Sequence, residues 1–419
     1  MDSISYHIKK VKPKANMLKF YHVILFLLFL FPVENLAQKV SNQLDQYMAL
    51  VRGEYAGENA LETTAYVSEH WRVAGNAGFD SSIVYVQRIL ASAGYQLESE
   101  NTDAKLTYRI ERYPMRTPAW EPVDAQLYLS DADKPLLNFG DNRNMICINS
   151  FSTPITGTTA EVVYLKSCDE AAFEGLDLEG KIVFADCRPY SLFKQAVEKK
   201  GAIGILSYSV PYYNQPEKYQ NSIPFSRIPF NSKKKAWAIN LSYAARTAIH
   251  AELEKGPLKV RVQIDTKIYP AEELTLIAEV RGSKVAEERF VYSAHVQEPG
   301  ANDNASGVGA QAEMARVAAA LVQRGSIAPD RTLTFLWGDE IRSTRRYIEQ
   351  DSLRATGIRW GMSLDMVGED TEKTGGTFLI EKMPDPSAIW TRGDDYPTVV
   401  GRASLATTTL KLHCTSGDG

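Results

Sequence analysis

The spacing of apolar residues predicts helices in the first part of the chain, followed by a strand. Residues 40–95 have a helical pattern, and between Asp80 and Gly94 the apolar side chains fall on one helical face. Aspartate favours the start of a helix, and glycine favours the position just past its end. Apolar and polar side chains then alternate over residues 106–110, which predicts a half-buried strand.

The middle third of the chain has a different pattern, in which short apolar runs flank one helix. Residues 180–185 and 201–206 form strand-like runs, and residues 192–200 between them have a helical pattern. Together these segments predict a βαβ unit. Residues 210–235 are rich in Pro, Asn, Tyr and Ser, which predicts an exposed loop.

The pattern changes again from residue 274 onward, where strands alternate with helices. Met314, Val317, Ala318 and Leu321 are spaced as on one face of a helix. The strand-like runs are 274–281, 290–294, 332–337 and 360–366. This alternation predicts an α/β fold with a mostly parallel mixed sheet flanked by helices, in which ligand chemistry lies at the carboxyl ends of the strands.

The N-terminus has the order of segments that is typical of a secretory signal. Several lysines precede nine consecutive apolar residues at 23–31, and a cleavage position follows between Ala37 and Gln38. A helix needs roughly 20 apolar residues to cross a bilayer, so this run is short for a span. We expect residues 1–37 to direct export to the periplasm, cell surface or medium. An uncleaved signal is the alternative and would be the sole membrane contact.

Charge and cysteine content narrow the classes of function. The 419 residues include 47 Lys and Arg and 51 Asp and Glu, for a net charge of −4. Such a balance gives no broad basic surface, so we expect no nucleic-acid partner. Four cysteines are too few to form the framework of the fold. Cys168 and Cys187 could pair in an exported protein, but the sequence does not decide this.

Chemically competent side chains follow three of the predicted strands. His295 ends the first, Asp303 lies between it and the next helix, Asp339 and Glu340 end the second, and Asp365 lies at the third. Each alone has an ordinary structural explanation, such as a helix cap or a solvated turn. One imidazole and several carboxylates at a common edge form a ligand set suited to zinc, and an additional carboxylate could accept a proton from water.

Four stretches resemble the zinc aminopeptidases and glutamate carboxypeptidases of metallopeptidase family 28. They are YSAH at 292–295, GANDNASG at 300–307, FLWGDE at 335–340 and SLDMVG at 363–368. Residues 180–206 also resemble a protease-associated (PA) domain, and the Trp71-Arg72 region resembles the family's N-terminal segment.

The resemblance implies a zinc-peptidase (phosphorylase/hydrolase-like) core with an inserted α/β domain. The implied order is a signal at 1–37, the first part of the peptidase domain at 38–130, the PA-like insert at 131–265 and the catalytic core at 266–419.

The same resemblance assigns roles to individual residues. His295 would bind one zinc, Asp303 would bridge two, and Asp365 would complete the first site. In the family an acidic pair supplies a general base and then a ligand of the second zinc. Counted from the preceding strand, Glu340 is the favoured base, while a gap in the alignment would make Asp339 the base and Glu340 the ligand.

Two further departures from the family pattern concern the metal ligands. Gln297 stands where the family has an aspartate that orients the first histidine. The family's last ligand is a later histidine, for which the chain offers only His413, close to Gly419. We therefore expect a truncated or frame-shifted C-terminus, two zinc ions in the family but one plausible here, and weak or absent activity.

The expected function is that of an exported zinc metallopeptidase, an aminopeptidase that hydrolyses peptide substrates with metal-activated water. Two alternatives stay open at this point. One is a catalytically impaired or non-catalytic binding protein on the same scaffold. The other is a glutaminyl cyclase-like enzyme with one zinc, against which the PA-like insert argues mildly.

Overall fold

The computed structural model describes residues 42–129, 132–377, 379–380 and 412–413. The predicted signal at residues 1–37 lies outside these ranges, and so does the side chain of His413. None of the helices within the described ranges combines the length and apolar character needed to cross a membrane.

The predicted helices and strands occur in the expected order along the chain, and further strands lie between them. The helices are α1 (42–54), α2 (Gly57–Ser68), α3 (Ala77–Ser92), α4 (Pro189–Phe193), α5 (Tyr243–Leu253), α6 (Ala305–Gln323), α7 (Arg342–Glu349), α8 (Ser352–Gly357) and α9 (Thr371–Thr374). The strands are β1 (Gln96–Leu97), β2 (Leu106–Pro114), β3 (Ala119–Leu129), β4 (Leu137–Asn138), β5 (Thr158–Leu165), β6 (Ile182–Ala185), β7 (Gly204–Ser207), β8 (Trp237–Asn240), β9 (Lys259–Tyr269), β10 (Glu272–Val280), β11 (Val285–His295), β12 (Arg331–Gly338), β13 (Ile358–Ser363), β14 (Leu379–Ile380) and β15 (Leu412–His413). A π-helical turn, Lys194–Lys199, continues α4.

The predicted helix at residues 80–94 is α3, which begins earlier than expected. Asn76, not Asp80, is its N-cap, because the Asn76 side chain accepts a hydrogen bond from the backbone N–H of Phe79 at 2.9 Å. At the other end Gly94 has a φ of 94°, the left-handed conformation in which glycine is favoured.

The first sheet brings three parallel strands together. Among the described residues its order is β1-β2-β10-β12-β11-β13, with β11 parallel to both β12 and β13. The register pairs His295 with Gly338 on one side and Ser293 with Ser363 on the other. The carboxyl ends of the three strands therefore meet at one edge of the sheet, as the sequence predicted.

Helix α6 is the central helix on this sheet and is buried along most of its length. Its many small residues allow close approach of neighbouring elements, and at Gly309 the backbone lies against Ala60 and Thr64 of α2. The core on this face includes residues from α3, β10, α6 and β12, among them Phe79 and Trp337. Because α6 begins just after Asp303, this packing also fixes where that carboxylate lies.

The second sheet is inserted between β2 and β10 of the first. Among the described residues its order is β4-β3-β9-β5-β6-β7-β8, and the β5 to β8 part is parallel. It includes the predicted βαβ unit. The sheet spans residues 119–269, compared with predicted insert limits of 131 and 265, because β3 pairs along its length with β9. Cys168 and Cys187 form a disulfide within it.

The expected fold class is confirmed by these two mixed sheets and their flanking helices. The assignment of the insert as a PA domain stays a prediction.

Candidate metal centre

Three of the predicted ligands converge at the carboxyl edge of the first sheet. His295 ends β11, Asp303 precedes α6, and Asp365 follows β13. The Nε2 atom of His295 lies 3.3 Å from Oδ1 of Asp365 and 3.6 Å from Oδ1 of Asp303. One ligand atom from each residue lies within 4.8 Å of the other two. The arrangement is that of a small ligand set around one cation.

The imidazole of His295 is buried and has a fixed orientation. Its side chain is 3% exposed, and its Nδ1 lies 3.1 Å from the backbone carbonyl of Gln297. An Nδ1–H that donates to this carbonyl leaves the Nε2 lone pair directed at the two carboxylates. The orienting group is thus the main chain of Gln297, while its side chain accepts a hydrogen bond from the Glu340 backbone N–H at 2.9 Å.

Asp365 is the carboxylate that contributes most to the proton affinity of His295 in the metal-free protein. Burial of the ring lowers its pKa, but the hydrogen bond to Asp365 and the contact with the Gln297 carbonyl outweigh burial and raise the pKa to about 9. A cation at this position would replace the proton, because it needs the same lone pair.

Hydrogen bonds between the start of α6 and the loop after β13 fix the distance between the two aspartates. Asn304 accepts from the backbone of Gly307 at 3.0 Å and Met366 at 3.2 Å, and donates to the Leu364 carbonyl at 2.9 Å. Ser306 accepts in the same way from Val367 at 3.1 Å. Asp365 is therefore held next to Asp303 by its neighbours on both sides.

One buried carboxylate oxygen of this cluster lacks a hydrogen bond to any part of the chain that the structure describes. The Oδ1 atom of Asp303 is buried and has no hydrogen-bond partner among the described residues. Burying a carboxylate oxygen without a partner is costly. A divalent cation held by His295, Asp303 and Asp365 would satisfy this atom, and one nitrogen with two carboxylate oxygens is a donor set that zinc accepts. The residues present therefore fit the implied metal.

Glu298 is a fifth acidic group at the site, one to which the sequence pattern gave no role. Its backbone adopts a left-handed φ of 88°. Partial burial and a hydrogen bond to Asp303 raise the pKa of Glu298 to about 8, with a further contribution from Glu340. The sequence feature that could have identified Glu298 is its position: it lies three residues after His295, in the loop that precedes the GANDNASG stretch.

Asp339 and Glu340 occupy different environments, although they are neighbours in sequence. Asp339 accepts hydrogen bonds from the backbone N–H of Arg342 at 3.0 Å and from its guanidinium at 2.7 Å, so it serves the start of α7. Glu340 is exposed and lines the cleft beside His295. Both lie outside the group of three whose ligand atoms fall within 4.8 Å, and their catalytic and metal-binding roles stay predictions.

The fold and the site together define an α/β protein with a candidate metal centre at the carboxyl ends of parallel strands. Residues 275–404 match the family description "Peptidase family M28", so this segment is similar to that family. The resemblance to metallopeptidase family 28 is confirmed.

Known proteins that are similar to this chain include two named as carboxypeptidases. Carboxypeptidase Q of Bos taurus is 24% identical over 353 residues, which cover 78% of this chain and 65% of that protein. Carboxypeptidase Q of Homo sapiens is 25% identical, covering 68% of this chain and 60% of that protein. The chain thus matches less than two thirds of the length of these relatives.

Solved structures support the same fold. A zinc aminopeptidase from Bacillus subtilis superposes with a TM-score of 0.54 at 18% identity, covering 85% of this chain and 80% of that chain. An aminopeptidase from Aneurinibacillus sp. strain AM-1 gives a TM-score of 0.53 at 18% identity and covers 87% of both chains. At this level of identity the similarity concerns the fold.

Proposed function

We propose that this protein is an exported, zinc-dependent exopeptidase that acts at the amino end of peptides. The observation that carries the proposal is the convergence of His295, Asp303 and Asp365, whose ligand atoms lie within 4.8 Å of one another. The family of the domain and the names of its relatives support a peptidase.

Zinc is the proposed metal because the site combines a neutral imidazole nitrogen with carboxylate oxygens. His295, Asp303 and Asp365 would hold it. When bound, zinc supplies Lewis acidity that activates water and polarises the scissile carbonyl.

Glu340 is the proposed proton acceptor. Its carboxylate is exposed at the cleft and its backbone is fixed by the Gln297 side chain, so it can take a proton from the attacking water and return it to the leaving amine. Asp339 is less suited to this task, since Arg342 and the first turn of α7 already occupy its two carboxylate oxygens.

Action at an amino end is supported by the names of solved structures that share the fold, which include aminopeptidases. The exposed carboxylate of Glu340 beside His295 also favours the ammonium of a peptide's N-terminus over a terminal carboxylate. The name of carboxypeptidase Q favours the other end of the peptide as the second candidate, so the test includes both substrates.

Export is supported by the signal-like N-terminal sequence and by the disulfide between Cys168 and Cys187. Disulfides form and persist chiefly in oxidising compartments outside the cytosol. N-terminal sequencing of protein recovered from the periplasm or medium, with Gln38 as the expected first residue, checks this part of the proposal.

The activity is tested with a free aminoacyl chromogenic amide, its N-acetylated counterpart and an N-blocked dipeptide. Metal-stripped protein should be inactive, and zinc should restore cleavage of the free aminoacyl amide alone. Glu340→Gln should lower kcat by roughly 10²- to 10⁴-fold, whereas Asp339→Asn should have a smaller effect. Zinc-dependent cleavage of the blocked dipeptide alone would favour the carboxypeptidase alternative. The absence of zinc-dependent hydrolysis of all three substrates would refute the proposal and favour the impaired or non-catalytic protein that the sequence left open.

A further inference from the structure

Arg72 is a fully buried arginine whose guanidinium makes no hydrogen bond to a carboxylate among the described residues. Its five N–H donors are directed instead at five main-chain carbonyls. The acceptors are the carbonyls of Val67, His70 at 2.9 Å, Val296 at 2.9 Å, Glu298 at 2.6 Å and Gly300 at 2.8 Å. An arginine that satisfies five carbonyls acts as a rigid connector between the segments that contain them.

Three of the five carbonyls belong to residues 296–300, which we call the 296–300 loop. This loop joins His295 directly to the segment that carries Asp303. A further hydrogen bond runs in the opposite direction, from the backbone N–H of Glu298 to the carbonyl of Arg72 at 3.0 Å. The loop between two metal ligands is therefore attached to one residue along most of its length.

The other side of this connection is also fixed. Val67 lies in the last turn of α2, and the side chain of Trp71 packs in the core of the second sheet, where its ring centroid lies 5.2 Å from that of Trp120. Because its neighbours are anchored in both packed bodies, Arg72 can impose a position on the 296–300 loop.

We propose that Arg72 is a positioning residue of the metal centre, which holds the 296–300 loop so that His295 and Asp303 face a common cation before it binds. This inference rests on the proposed function only in that it requires the cation. It assigns Arg72 no contact with metal or substrate.

Charge and geometry predict opposite effects of removing Arg72. The guanidinium interacts electrostatically with Asp303 and Glu298, and a positive charge near a cation site weakens cation binding. If charge alone mattered, Arg72→Met would strengthen zinc binding and Arg72→Lys would leave it unchanged. Positioning predicts weaker binding in both variants, because lysine has three donors and cannot span five carbonyls.

The experiment is zinc titration by calorimetry on metal-stripped protein, together with the visible absorption of the Co²⁺ form. We expect roughly 10- to 100-fold weaker zinc binding in Arg72→Lys and Arg72→Met, and an altered Co²⁺ spectrum in both. Arg316→Lys and Arg316→Met are matched controls, because Arg316 on α6 bonds Glu54 at the end of α1 and Glu313 one turn earlier on α6. They should lower the melting temperature and leave zinc affinity and the Co²⁺ spectrum unchanged.

Hydrogen exchange of the metal-free wild-type protein keeps the proposal testable even if the variants fail to fold. The Glu298 amide, which bonds to Arg72, should be protected before zinc is added. Rapid exchange of this amide, or wild-type zinc affinity in Arg72→Lys, overturns the positioning role. Absence of zinc binding by the wild type overturns the metal centre itself, so the two failures are distinguishable.

Discussion

A single methyl group at Gly307 tests whether the start of α6 sets the position of Asp365. A Cβ at this residue would lie closer than 3.0 Å to the carbonyl oxygen of Leu364 and to the amide of Asn304. The first of these is a backbone atom, which cannot rotate away. In Gly307→Ala the loop after β13 must move outward, and Asp365 moves with its neighbour.

Gly307→Ala should change the free energy of unfolding only slightly, because the cost of packing the methyl group opposes the gain in helix propensity. Forcing a methyl into a packed position costs about 1 to 3 kcal/mol, whereas glycine to alanine within a helix returns about 1 kcal/mol. The free energy of unfolding should therefore fall by at most about 2 kcal/mol. The effect on zinc affinity is larger, about 10- to 100-fold, since the change displaces a supporting group of a metal ligand.

Gly309→Ala is the matched control on the same helix. There a Cβ would also lie closer than 3.0 Å to a backbone carbonyl, that of Ala60 in α2, and to the side chain of Thr64. Urea unfolding and zinc calorimetry on both variants should give similar losses of stability and a loss of affinity in Gly307→Ala alone. Equal zinc affinities in the two variants would refute the coupling between α6 and Asp365.

Three other predictions follow from charges and cross-links. Zinc must displace the proton of His295, whose pKa is raised to about 9. The apparent affinity for zinc should therefore rise about tenfold per pH unit between pH 6 and 8 and become constant above about pH 9. Calorimetry in buffers of different ionisation enthalpy measures the released proton. Burial raises the pKa of Asp80 to about 6, so the native state binds this proton more tightly than the unfolded state does, and the free energy of unfolding falls as pH rises from about 4 to 6. The fall should be about 1 kcal/mol after allowance for solvent screening. Urea unfolding at both pH values should show the fall in the wild type and not in Asp80→Asn. Reducing the Cys168–Cys187 disulfide, whose partners are 19 residues apart, should cost about 3 kcal/mol; an unchanged urea midpoint with reductant would contradict this.

The sequence predicted the elements of the first sheet well because their apolar patterns are regular. Strands β10 (Glu272–Val280) and β12 (Arg331–Gly338) lie close to the expected limits of 274–281 and 332–337, whereas β11 begins at Val285, well before the expected start at residue 290. Strand β9 was not predicted, although Val260, Val262 and Ile264 alternate with polar residues and are buried. Its partner β3 contains Pro122 and a register shift, which weaken the alternating pattern that sequence analysis uses.

The site was predictable as a set of strand ends but not as a set of contacts. That His295, Asp303 and Asp365 lie together follows from parallel strands meeting at one edge. The position of Glu298 against Asp303 depends on a left-handed turn at a non-glycine residue, which sequence does not signal. The contacts of Arg72 join residues more than 200 positions apart, and no local pattern reports such a distance.

The two chain connections of the second sheet allow it to be removed from the first sheet as one segment. Pro114 at the end of β2 pairs with Glu272 at the start of β10, and Ala119 at the start of β3 pairs with Tyr269 at the end of β9. Both chain crossings are thus side by side, and a short turn from Pro114 to Glu272 would convert β2 and β10 into a plain hairpin. The excised segment would contain its own hydrophobic core and disulfide. The remaining part of the protein would expose the apolar side chain of Trp71 to solvent, so a polar residue at this position would be needed to prevent aggregation.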